Sequence, residues 1–135
     1  MPLARTLAVW LLIILAETIH GILRGLFLVP IVGDLRARQT GVFIGSLIIL
    51  AIATASIKWI GARTRKRLLA VGALWLALTL AFEFLFGRYV AGVSWGRLLS
   101  DYDPTRGGFL ALGMIMLALS PLVAAKLRRL PTAPA

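Results

Sequence analysis

The chain has 135 residues, 60% of them hydrophobic, and a mean hydropathy of +0.94, well above the roughly 45–50% apolar usage of soluble domains. Its formal charge of +10 would suit a polyanion. However, the lysines and arginines stand at the ends of apolar runs, as topology signals do, so the expected partner is not nucleic acid but a bilayer with anionic lipid head groups. The lack of cysteine excludes disulfides, thiolate chemistry and iron–sulfur clusters on these residues.

In chain order, the first apolar run covers about residues 7–29 and is closed by Pro30. Met1 to Ala16 resembles a signal peptide, with Arg5 ahead of an apolar stretch. The apolar character resumes after Glu17, though, and Ile14-Leu15-Ala16 is a poor cleavage site, so the segment reads as an uncleaved first span. Further apolar runs cover about 41–60, 68–87 and 109–125. Each approaches the roughly 20 residues that cross a ~30 Å hydrocarbon core. Backbone groups in lipid must pair internally, so these runs predict an all-α, four-helix membrane bundle forming a single integral domain over residues 1–135.

The connections carry the charges. Pro30 to Thr40 reads as a short polar loop with Asp34, Arg36, Arg38 and Gln39. Val90 to Gly107 is long enough for an interfacial helix, with Ser94 as its cap, Trp95, Leu98 and Leu99 as an apolar face, and Asp103-Pro104 as its end. Trp95 and Tyr102 are residue types found at head-group level. Nine basic residues on the side of the termini, among them Arg5, Arg63, Arg65, Lys66 and Arg67, face six on the other. That bias predicts a plasma membrane protein, of the bacterial inner-membrane kind, with both termini cytoplasmic. Sliding the chain by 66 residues sets Glu17 on Glu83, Gly21 on Gly87, Gly41 on Gly107 and Phe43 on Phe109. This layout suggests two repeated helical hairpins related by an axis along the membrane normal.

The candidate chemistry centres on Glu17, His20 and Arg24. On a helix, Glu17 and Arg24 fall about 20° apart, with His20 about 60° to one side. Ionisable groups at membrane depth cost roughly 2.5–3.5 kcal/mol each and seldom sit there without a partner or a task. Glu83 and Arg88 form a second such set. Two readings follow: structural ion pairs, crossed as Glu17 with Arg88 and Glu83 with Arg24, or a proton or ion pathway opening to the outer face.

His20 is the only histidine. Glu17-x-x-His20 has the spacing of a di-iron ligand pair, but such sites repeat it and add two glutamates. Here the second half has Phe86 where the histidine would stand. A hydrogen-bonded interior histidine is therefore expected, with no metal and no cofactor, and Met114 and Met116 read as packing rather than haem ligands. Gly21-x-x-x-Gly25 and Gly41-x-x-x-Gly45 predict close helix packing. Pro121 should leave an unpaired carbonyl one turn earlier that Ser120 could satisfy, and Thr79 lies one turn before Glu83. Asp101 and Asp103, flanked by Arg97 and Arg106, read as a self-neutralised outer loop.

No Walker loop, zincin helix or nucleophile elbow is present, so an enzyme is not expected. The leading expectation is a small, homo-oligomeric transport or channel-like protein. The rival is an accessory or scaffold subunit of a larger membrane complex.

Overall fold

The structure, a computed structural model, describes residues 3–131, so the extreme ends of the expected 1–135 domain lie outside it. The described residues are helical, with no strand among them. Helix α1 (Leu3–Leu23) runs through a wide π-helical turn (Arg24–Leu28) into α2 (Val29–Val32), making one apolar rod of 30 residues. Pro30 does not close this helix, contrary to expectation. A proline offers no amide donor and its ring crowds the carbonyl one turn back. The π turn, in which the Val29 N–H donates to the Arg24 carbonyl, widens the backbone just ahead of it.

The chain then reverses at a single residue. Gly33 has φ 88° and ψ 163°, a region essentially reserved for glycine, and α3 (Asp34–Ile60) begins at once. The polar stretch expected as an outer loop is therefore the first two turns of α3. Asp34 at its start complements the positive end of the helix dipole.

Gly61, with φ 80°, ends α3. Thr64 starts α4 (Arg65–Tyr89) by accepting a hydrogen bond from the Arg67 amide at 3.0 Å. The short helix expected between residues 90 and 107 is present as α5 (Trp95–Ser100), with Ser94 accepting from the Arg97 amide at 3.2 Å. A 3-10 turn (Pro104–Arg106) leads to α6 (Leu110–Leu127). Ser120 Oγ donates to the Leu117 carbonyl at 2.7 Å. That is the carbonyl Pro121 deprives of its amide, and α6 continues past it.

Helices α3 and α6 form the most extensive pair, with α1 packed on α3 and α4 packed on α6. The buried positions of α3 recur every fourth residue, at Ala37, Gly41, Gly45, Ile49, Ala53 and Ile57. An apolar core that includes Ile13, Ile57, Leu68, Trp75 and Leu117 fills the half of the bundle nearer the termini. The tightest approach is at Gly72, where a Cβ would lie 1.8 Å from the Ala118 carbonyl oxygen. By contrast, a Cβ at Gly21 or Gly25 would meet nothing within 4 Å. The first small-residue motif therefore makes no close helix contact.

The seam between α1 and α4 is sparse but specific: Trp75 Nε1 donates to the Thr6 carbonyl and Trp10 Nε1 to Thr79 Oγ1, each at 3.0 Å. At the termini end, Arg5 and Arg128 donate to carbonyls of the last turns of α3, at Trp59 (2.8 Å) and Thr54 (2.9 Å). The Trp59 carbonyl is one that the helix end leaves without an amide donor.

Four helices are long and apolar enough to cross a membrane. Large side chains such as Leu11, Leu15, Phe27, Leu47 and Ile115 stay exposed on their outward faces. A surface of that kind suits lipid rather than water. The architecture is that of a multi-pass membrane protein.

Candidate functional site

At the end opposite the termini the core gives way to a cavity of about 500 Å³ between α1, α3, α4 and α6. Its walls include Glu17, His20 and Arg24 from α1 and the adjoining π turn, and Glu83 from α4. Helical spacing puts Glu17, His20 and Arg24 on one wall, and the packing of α4 brings Glu83 to them. His20 Nδ1 lies 3.7 Å from Glu17 Oε2, and Glu17 Oε1 is buried without a hydrogen-bond partner. Arg24 is the guanidinium whose field reaches both carboxyls.

Gly41 and Gly45 act differently from the packing role read in the sequence. A Cβ at position 45 would lie 2.8 Å from Glu17 Oε2. One at position 41 would lie 3.0 Å from Arg24 Cδ and 3.6 Å from His20 Cε1. One turn apart on α3, the two glycines leave a trough that receives the polar side chains of α1. The sequence marked both the trough and the side chains, but not that one seats the other.

Arg88 belongs elsewhere. Its guanidinium sits over the Trp95 ring, 5.9 Å from the centroid, and it does not line the cavity. Five residues beyond Glu83 it points about 140° away around the helix. Neither crossed bridge, Glu17–Arg88 nor Glu83–Arg24, is among the ion pairs of the described residues. Nor does Thr79 Oγ1 bond Glu83; it accepts from Trp10.

The segment after α4 folds back as a roof. Arg38 bonds Asp34 (Nε to Oδ2, 3.0 Å) and also pairs with Asp101. Arg97 joins the same two acids, 3.2 Å from Asp34 and 3.8 Å from Asp101. Gln39 Nε2 donates to the Gly107 carbonyl at 2.8 Å. On the other flank, α5 lies against α4, where Leu98 fills the space left by Gly87. Phe84 of α4 stacks with Tyr102 and Trp95, at 5.4 and 6.4 Å between centroids.

Asp101 and Asp103, one acidic patch in the sequence, have separate fates. Asp101 enters the network with α3 and lines the cavity. Asp103 stays in a surface turn, accepting from Thr105 Oγ1 at 2.6 Å and from the Thr105 amide at 3.0 Å, with Arg106 at 3.7 Å. The two Thr105 bonds hold its carboxyl below the usual carboxylate range. Burial pushes the Tyr102 phenol up, and the negative charges of Glu83 and Asp101 add to the effect.

Several wall residues escaped the sequence reading as site residues. Arg38 and Gln39 were placed in a loop, although Asp34 and Arg38 already stood at the i,i+4 spacing of a helical ion pair. Phe82 and Phe86, stacked at 5.1 Å, carried no signal, because any aromatic residue on an apolar helix looks like lipid contact. The cavity walls thus carry four groups able to exchange protons, Glu17, His20, Glu83 and Asp101, and two guanidiniums, Arg24 and Arg38, with a charged roof on one side and the core beneath. No protein-family model, curated protein or solved structure matches this chain.

Proposed function

We propose that this chain is a plasma membrane protein with cytoplasmic termini that moves a small solute or ion through its polar cavity, exchanging protons at Glu17 and Glu83. The observation carrying this reading is the cavity of about 500 Å³, with Glu17, His20, Arg24 and Glu83 on its walls, inside a bundle whose outer faces are apolar. Carboxyls kept only for structure would be expected in tight ion pairs, because each charge costs a few kcal/mol at membrane depth. Glu17 instead has an oxygen with no donor. In this reading Arg24 is the resident counter-charge, and the Asp34, Arg38, Arg97 and Asp101 network is the gate between cavity and outer water. The expected orientation, with the termini inside, supports the same direction of opening. An accessory subunit would leave the cavity without a task.

The test is proton flux in proteoliposomes under an imposed pH gradient, read with a lumenal dye. Glu17→Gln and Glu83→Gln are expected to abolish flux while the melting temperature holds. Unchanged flux with a lowered melting temperature would reduce both acids to structural groups and end the transport reading.

A further inference from the structure

Two hollows meet at the α1–α4 seam. On one side is the polar cavity. On the other is a shallow, wide-open groove lined by apolar parts of Trp10, Leu78, Leu85 and Tyr89, together with Phe82 and Phe86. Those two phenylalanines line both hollows. The bond from Trp10 to Thr79 ties the seam at the termini end. Beyond it, the stacked Phe82–Phe86 pair is the only wall the two hollows share.

On the polar side two carboxyls share one counter-charge. Glu17 and Glu83 face Arg24, while Arg38 and Asp101 neutralise each other. Both carboxyls can therefore be ionised together only beside a second cation, and the buried Glu17 Oε1 lacks a donor. A buried acceptor of that kind calls for an N–H from a bound molecule, and the Phe82 and Phe86 faces favour a cation beside them.

We infer that the site takes a lipophilic monovalent amine, its ammonium against Glu17 and its apolar body across Phe82 and Phe86 in the groove. The inference rests on the transport reading and names its substrate class. An anion would meet two carboxyls, a zwitterion would bring a carboxylate of its own to them, and a purely polar solute would leave the apolar groove unused.

The test is isothermal titration of the detergent-purified full chain at neutral pH with phenylbutylamine, phenylbutanol and phenylbutyrate. The amine should bind at least about tenfold more tightly than the alcohol, as one desolvated charge pair would give, and the acid should not bind. Glu17→Gln should erase the amine's advantage and leave alcohol binding intact, which also reports a preserved fold. Phe82→Ala should weaken amine and alcohol together. Equal affinity for amine and alcohol, or full amine binding by Glu17→Gln, would overturn the inference. Amine-selective binding without flux would keep the ligand class and refute transport. Proton flux indifferent to the amine would keep transport and refute the ligand class.

Discussion

Substituting Gly72 by alanine tests the packing logic of the bundle most directly. The added Cβ would sit 1.8 Å from the Ala118 carbonyl oxygen. Carbon–oxygen contacts settle at about 3.3 Å or more, so the α4 and α6 backbones would have to part by roughly 1.5 Å. The obstacle is backbone, which cannot rotate away. Val71, Trp75 and Leu117, all at most 1% exposed, lie beside this contact and would lose packing with it. A gap of 0.5–1 Å already forfeits about a quarter to a half of each dispersion well.

Overpacking of this kind costs about 1–3 kcal/mol or more, and alanine returns about 1 kcal/mol of helix propensity. With the upper end of that cost for a clash against backbone, a net loss of about 2 kcal/mol is expected, which lowers the melting temperature by something on the order of 5–10 °C. Gly21→Ala is the control. Nothing lies within 4 Å of its Cβ position, so it should melt at or slightly above the parent temperature. Thermal unfolding in detergent, followed by circular dichroism, measures both. The reasoning fails if Gly72→Ala melts with the parent, or if Gly21→Ala is the variant that collapses.

The roof should respond to both charge removal and pH. Arg38 and Asp101 have side chains only 20% and 22% exposed, so truncating either should cost about 1 kcal/mol, the loss being limited because Asp34 still holds Arg38 and Arg97 still faces Asp101. The double variant should cost less than the sum of the two. A double-mutant cycle on thermal unfolding, with protease nicking of residues 90–109, measures this, and additive single effects would refute the coupling. For Asp103, the folded carboxyl titrates below its unfolded value of about 3.9, so its contribution is present above that pH and is lost as pH falls through the lower folded value. The Thr105 amide shift in an NMR titration should therefore have its midpoint below about pH 3.9. A midpoint at or above that value would show that the two Thr105 bonds do not hold the carboxylate.

The outward apolar faces and the polar cavity meet opposite demands within one short chain. Large exposed side chains such as Leu47 and Phe27 leave little surface for water. The ionisable groups are gathered where α1, α3 and α4 leave a gap. That separation lets a bundle of this size keep carboxyls away from lipid while leaving them unlocked by ion pairs.

The number and kind of the helices were written in the sequence, because long apolar runs bounded by charge leave the backbone no other way to satisfy itself in lipid. The alignment of Glu17, His20 and Arg24 was legible too, since helical periodicity fixes which residues share a face. So were local chemical features such as the Ser94 cap and the repair of the Leu117 carbonyl by Ser120. Tertiary structure decided what depends on a neighbour. Only the packed bundle shows that Gly41 and Gly45 seat the α1 side chains rather than a backbone, and that Gly72, with no motif to mark it, carries the closest helix contact. Polar residues 34–40 became helix because one glycine, Gly33, can reverse the chain alone. Arg88 left the polar centre because it lies around the helix from Glu83 and found the Trp95 ring instead. Periodicity within one helix is a property of the sequence; which face of another helix it meets is set by packing across the whole chain.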